Sequence, residues 1–216
     1  MKHELRLQLT YAHSIAQLPC LVKSSGCNSA NTNLLILDEV FDHVVLATPA
    51  WDAAHLMATL NPAWSQTASA LTHEAIATVY IQMPRDFKLP QPMLSLPSSK
   101  EEPAQFVFDK GALSSQHGML AAVVSACKTE RDDVTEQVHM QVCEQLKLQH
   151  LDIVQTVVEK RATLACTPML DRPESYVAAG LWACGDYICG PYPSTLEGAV
   201  RSGQQVVAQL GQVTHR

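Results

Sequence analysis

The sequence predicts an α+β fold, and three observations carry that reading. Several windows alternate apolar and polar residues with a period of two, among them 75 to 83 and 153 to 166. Others repeat every three to four residues, after Trp51 and again from Arg131. The chain also contains no G-x-G-x-x-G turn, the mark of a strand–turn–helix nucleotide unit, and it has only 9 glycines in 216 residues.

In order, residues 4 to 11, 17 to 23 and 32 to 38 read as strands of a small meander. The polar, turn-rich residues 24 to 31 connect the last two. Residues 42 to 47 add a continuous apolar strand, as expected of one buried on both faces. From Trp51 the spacing of Ala54, Leu56, Met57 and Leu60 is helical, until Pro62 breaks it and a second helical piece runs to Leu71. A strand at 75 to 83 precedes the proline-rich stretch 84 to 103, which reads as a long loop of the kind found in lids, binding loops or disordered segments. Strands at 105 to 109 and 119 to 126 follow, then an amphipathic helix over 131 to 148 with Val134, Val138, Val142 and Leu146 on one stripe. The strand at 153 to 166 alternates so that one face meets a core and the other a cavity or a helix layer.

Chemistry is concentrated in the stretch 180 to 203, GLWACGDYICGPYPSTLEGAVRSG. It reads as a short buried strand, a glycine turn carrying an acid, and a helix start. A strand ending in Gly185-Asp186 puts a carboxylate where open α/β sheets bind ligands, and Asp186 can accept hydrogen bonds from sugar hydroxyls. Ser194 or Thr195 can cap the helix, with Glu197 in its first turn. The free N–H groups at that end carry roughly half a positive charge.

This stretch resembles the C-terminal flavin-binding motif of the flavin-containing amine oxidase and phytoene desaturase superfamily, in which a Gly-Asp turn leads through Tyr-Pro-Ser/Ala-Thr-x-Glu-Gly-Ala-x-x-Ser-Gly. The run FDHVVLATP at 41 to 49 looks like the strand that returns to that superfamily's flavin domain. Further segments are most similar to the hydroxysqualene dehydroxylases, also called squalene-associated FAD-dependent desaturases: EKRAT at 159 to 163 with Cys166-Thr167-Pro168, IATVY at 76 to 80 and FVFDKG at 106 to 111. The resemblance implies an FAD cofactor. Asp186 after Gly185 would meet its ribityl or pyrophosphate part, the Thr195 and Leu196 amides the pyrimidine edge of the ring, and Tyr192 would lie near the ring, with Ser194 at the helix start. It also implies a mixed-sheet substrate lobe over 50 to 175, and a partial FAD-binding lobe from 1 to 49 and 176 to 216 that lacks its βαβ unit.

On this reading the chain is the C-terminal portion of an FAD-dependent oxidoreductase that acts on a long apolar isoprenoid, of the hydroxysqualene-to-squalene type. A carotenoid desaturase, an amine oxidase and a non-catalytic remnant binding no flavin are the alternatives. The nucleotide-binding half is expected to be missing or to be a separate polypeptide, leaving this chain inactive alone and binding FAD incompletely. A homodimer and peripheral membrane contact are expected. No residue identifies the catalytic acid; Asp109 and Glu159 are candidates by neighbourhood only.

Other classes fit poorly. A net charge of −6 without a lysine or arginine cluster argues against nucleic acid as a partner. No apolar run is long enough for a membrane span, and the N-terminal residues lack the apolar core of a signal peptide, so the cytoplasm is expected. The 7 cysteines include no C-x-x-C, which suits reduced thiols; a redox pair of Cys184 and Cys189 is the minor alternative. The 9 histidines show no H-x-x-x-H spacing, so no metal site is expected. The charges of 159 to 161 are either a solvated strand face or neighbours of the substrate and flavin.

Overall fold

The computed structural model describes residues 23–24, 34–36, 39–41, 43–148 and 151–213. The expected strand at 4 to 11, and the one at 17 to 23 apart from Lys23, lie outside the described residues. The chain divides into two units, one of residues Met1–Leu71 with Cys166–Arg216, the other of Thr72–Ala165.

In the first unit, β1 (Lys23–Ser24), β2 (Leu34–Ile36) and β3 (Glu39–Phe41) form an antiparallel sheet in chain order. Then come β4 (Val44–Leu46), α1 (Ala50–Met57) and α2 (Pro62–Ser69). Proline at the first position of α2 costs nothing, because that N–H would be unpaired anyway. Asn61 caps the helix by accepting from Trp64 N at 3.0 Å and donates to Val177 O at 2.7 Å. Trp64 Nε1 reaches Glu174 O at 2.8 Å, and Ser65 Oγ ties α2 to α1 through Ala54 O at 2.7 Å.

The second unit is a sheet with helices on one face. Its elements are β5 (His73–Gln82), β6 (Met93–Ser95), β7 (Phe106–Asp109), α3 (Lys110–Ser114), β8 (Met119–Ser125), α4 (Arg131–Gln145) and β9 (Asp152–Leu164). The strand order is β6-β7-β8-β5-β9, and every pairing is antiparallel. Ala77, Val79 and Ile81 of β5 share a face with Leu120, Ala122 and Val124 of β8 and Val107 of β7. Against this face α4 lays Val134, Val138 and Val142, each 0% exposed, with Leu146 partly buried beside them. Each buried valine contributes about 1.5–3 kcal/mol.

The proline-rich stretch is not a plain loop. Met93-Leu94-Ser95, free of proline between Pro92 and Pro97, pairs with β7 as an edge strand, the one place in a sheet where neighbouring prolines are tolerated. Gln141 of α4, 1% exposed, accepts from Ala104 N at 2.8 Å and donates to Pro97 O and Ala104 O, each at 2.9 Å. One buried amide side chain thus satisfies the strap's backbone where the sheet cannot.

The chain then returns to the first unit with β10 (Tyr176–Ala178), β11 (Leu181–Ala183) and α5 (Leu196–Val213). The order is β10-β11-β4, the first pair antiparallel and the second parallel, with Leu181, Trp182 and Ala183 opposite Val44, Val45 and Leu46. The fold is α+β.

Candidate functional site

The carboxyl ends of the parallel strands β4 and β11 carry the site. Cys184 N extends the ladder to Leu46 O at 2.9 Å, after which Thr48-Pro49 and Gly185-Asp186 leave the sheet side by side in the chain's two halves. Gly185 is required sterically, because a Cβ there would lie 2.6 Å from the Tyr187 ring. Its N–H donates to Ser202 Oγ at 2.9 Å, and that hydroxyl, 7% exposed, donates back towards Gly185 O at 3.0 Å or Ala199 O at 2.8 Å. Ser202 therefore clips α5 to the glycine turn. The motif contains this serine without marking its role; its signal in sequence is a hydroxyl four residues before Val206 on the buried stripe of α5.

Residues 186 to 194 form a loop closed at its base, where Ser194 N donates to Asp186 O at 3.0 Å. Arg172 holds its middle, donating to Ile188 O at 2.9 Å and also to Gly190 O. Tyr192 and Ser194 both have left-handed backbones, φ +63° and +56°, a cost of about 1–2 kcal/mol each for non-glycine residues. Thr195 offsets part of that cost and caps α5. Its hydroxyl donates to Tyr192 O at 2.7 Å and accepts from Gly198 N at 3.0 Å, while its carbonyl accepts from Ala199 N at 3.0 Å. The cap is thus Thr195, and Ser194 contributes its backbone N–H to the loop base. Gly198 follows from the same packing, since a Cβ on it would sit 2.2 Å from Tyr192 O.

Asp186 is half-buried, whereas Tyr192 and Leu196 are exposed at 50% and 88%. With Gly198 N taken by the cap, helix geometry leaves the Leu196 and Glu197 N–H groups without intrahelical acceptors, pointing out of the positive end of an 18-residue helix. Glu197 Oε1 meets Arg201 Nε at 2.5 Å, and the Arg201 guanidinium lies 5.0 Å from the centre of the Tyr192 ring. That pair is exposed on both sides and adds little stability. Burial foremost, then Cys184 and Asp186, raises the Tyr187 phenol far above its ordinary value. Its hydroxyl and the Thr48 Oγ1 are buried without a hydrogen-bond partner.

These features suit one end of a flavin. The carboxylate of Asp186 offers acceptors for sugar-chain hydroxyls, the start of α5 offers donors for a ring-edge carbonyl, and the orphaned Thr48 hydroxyl lies at the same strand ends. Gly185, Asp186, Tyr192, Ser194, Thr195 and Leu196 thus fall in one continuous turn and helix start. The thiols do not form an activated pair. Burial pushes Cys184 up, and Cys189 is raised by desolvation and then by the Glu174 carboxylate, both of which suppress thiolate. Among the described residues no cluster of ligating side chains could hold a metal, and no helix is long and apolar enough to cross a membrane.

In the five-stranded unit the two acid candidates lie on opposite faces of one sheet. Asp109, 3% exposed, faces the α4 side, with Oδ1 accepting from Ala112 N at 3.1 Å and Oδ2 from Leu89 N at 3.2 Å. Glu159 stands opposite Ile76 on the other face, exposed, accepting from Arg161 N at 3.1 Å. That second face has no helix of its own unit on it. Register aligns Met93, Phe108, Ala121, Tyr80 and Gln155 in one row across all five strands, with Phe106, Val123, Thr78 and Val157 in the next. Met93, Phe106 and Val157 are exposed by 49%, 37% and 41%, and the two phenylalanine rings stand 6.5 Å apart.

Comparison with known proteins places this geometry. The family of flavin containing amine oxidoreductases matches residues 22–211. Among solved structures, the chain resembles an oxidoreductase from Methanosarcina mazei at 13% identity and TM-score 0.55, covering 82% of this chain and 45% of that one. A proposed protoporphyrinogen oxidase from Exiguobacterium sp. 255-15 is similar at 16% identity and TM-score 0.60, over 88% of this chain and 46% of its own. A protein from Pyrococcus furiosus matches at 10% identity and TM-score 0.60, over 83% and 44%. At such identities the likeness is one of fold, and the chain spans a little under half the length of these structures. No curated protein matches it.

Proposed function

We propose, from the premise that this chain belongs to the family of flavin containing amine oxidoreductases, that it forms the ring-side and substrate-side portion of an FAD-dependent oxidoreductase acting on a long apolar isoprenoid, of the hydroxysqualene-to-squalene type. The observation that carries the cofactor reading is the closed loop from Gly185 to Thr195, which sets a half-buried carboxylate beside the free N–H groups of a long helix. Bound there, the flavin would supply two-electron redox chemistry. Asp186 would orient the sugar chain by accepting its hydroxyls, and the Leu196 and Glu197 N–H groups would stabilise negative charge on the ring edge. Tyr192 would wall the ring.

The substrate class rests on the sheet face away from α4, where Met93, Phe106, Phe108, Val123 and Val157 offer an apolar wall that would exclude water from a hydrocarbon. Of the two candidate acids Glu159 is the one on that face, which it shares with Glu74 and Asp152, and so the better placed for proton transfer there. Contacts to the pyrophosphate and adenosine would come from a further nucleotide-binding half. The chain alone is then inactive, binds FAD more weakly than about micromolar, near −8 kcal/mol, and pairs with a second copy. Cytoplasmic residence with peripheral membrane contact fits such a substrate.

The test is a flavin fluorescence titration of the chain, wild type against Asp186→Ala. A flavin-loaded preparation including the nucleotide-binding half is then assayed by product analysis, with hydroxysqualene when dithionite supplies the two electrons that loss of its hydroxyl consumes, and with a carotenoid precursor and a primary amine when the flavin is oxidised under O₂. Weak FAD binding that Asp186→Ala weakens further, with turnover of the isoprenol alone, supports the reading. Turnover of the amine only, or flavin affinity indifferent to Asp186, refutes it.

A further inference from the structure

Where the 83–92 strap meets α3, the five-stranded unit holds a cavity of about 120 Å³ lined by Phe87, Lys88, Asp109, Gly111, Ala112 and His117. Among the described residues Asp109 is the one charged side chain that is buried. This carboxylate is 3% exposed and, among the described residues, has no lysine, arginine or histidine in an ion pair with it. Two backbone amides each occupy one oxygen, which leaves further lone pairs of the carboxylate open to a donor from the cavity.

The rim has the opposite character. Lys88 and His117 are exposed, and a Cβ on Gly111 would lie 3.0 Å from Asp109 Oδ1 and 3.3 Å from His117 Nδ1, so carboxylate and imidazole both border the open side of this glycine. The half-buried Phe87 ring and the Ala112 methyl supply the apolar part of the wall. With a negative floor and nitrogen donors at the mouth, a simple cation would meet the Lys88 charge and a simple anion the buried carboxylate. Only a molecule carrying both charges satisfies both ends, and the volume admits a small one. We propose that this cavity binds a short amino acid as its zwitterion, with the ammonium on Asp109 and the carboxylate between Lys88 and His117.

The full chain is titrated by calorimetry and thermal shift with glycine, β-alanine and 4-aminobutanoate, and with methylammonium and acetate as the separated halves. One amino acid is expected to saturate near the millimolar range, at least tenfold tighter than either half. Lys88→Ala and His117→Ala, both at exposed positions, each weaken that binding severalfold, and Asp109→Asn removes it. Should Asp109→Asn fail to fold, the two rim variants still decide the matter. No saturable binding of any of the three amino acids, or binding unchanged in the Lys88→Ala/His117→Ala double variant, overturns the assignment. Stabilisation by Zn²⁺ alone that depends on Asp109 and His117 overturns it in favour of a metal.

Discussion

Replacing Gly198 by alanine should destabilise the protein, although helix propensity alone predicts the reverse. In a helix interior the change gains up to about 1 kcal/mol. Here the new Cβ would fall 2.2 Å from Tyr192 O, 3.2 Å from Tyr192 C and 3.4 Å from Thr195 Oγ1, and the nearest atom is backbone that cannot rotate away. Relief requires the Tyr192 carbonyl to move by about an ångström, which breaks its bond from Thr195 Oγ1 and misaligns the cap on Gly198 N. Those losses are about 1 kcal/mol each. Set against the propensity gain, and with the left-handed turn deprived of its support, the net effect is about 1–2 kcal/mol of destabilisation. Gly203 is the internal control: it lies in the same helix with nothing within 4 Å of its would-be Cβ, so Gly203→Ala should stabilise by about 0.5–1 kcal/mol. Urea unfolding of both variants, compared at constant m, reads a gap of roughly 1.5–3 kcal/mol. A Gly198→Ala protein as stable as Gly203→Ala would refute the packing account of the motif's glycine.

Asp186→Ala should weaken FAD binding by about 1.5–3 kcal/mol with the flavin-free melting temperature unchanged; lost stability with unchanged affinity would make the carboxylate a turn residue only. Gln141→Leu leaves the Ala104 N–H and C=O buried without partners and should cost about 2–4 kcal/mol, with protease nicking between Pro97 and Ala104; resistance of that strap to cleavage would count against the clamp. The Tyr187 phenol is raised in the folded state, so the native protein binds a proton there that the unfolded chain releases. Its contribution is therefore complete below the ordinary tyrosine value near 10 and fades as pH climbs above it. Tyr187→Phe should flatten that alkaline loss, and an unaltered pH profile in chemical denaturation would refute it.

Secondary structure was legible wherever one periodicity dominated. The valine stripe of α4 and the alternation of β5 and β9 appear in the fold within a few residues of where the sequence put them. What escaped was structure held by single long-range contacts. β6 is too short to show a period and forms because β7 lies beside it, while its strap is fixed by Gln141, 37 residues from Ala104 in sequence. The five-residue α3 lacks the length for any helical signal and depends on the Asp109 cap. At the candidate site the motif gave the residues and their order. The choice of Thr195 over Ser194 as cap was not readable, because it follows from two left-handed residues whose conformations the Asp186 and Gly198 contacts impose.

The ends of the five-stranded unit meet: His73 pairs with Leu164 across β5 and β9, and Ala165 N donates to Thr72 O at 3.0 Å. This has a consequence for the order of folding. The parallel β4–β11 pair that carries the candidate site joins residues separated by the whole of that unit. If the sheet forms first, its touching ends shorten the chain between β4 and β11 from 134 residues to about 40, lowering the entropy of closing that pair by about 1 kcal/mol. The inserted sheet then acts as a staple for the site's assembly. Replacing residues 72 to 165 by a short turn should keep that benefit, and replacing them by a flexible linker of equal length should forfeit it, slowing formation of the β4–β11 pair by roughly fivefold.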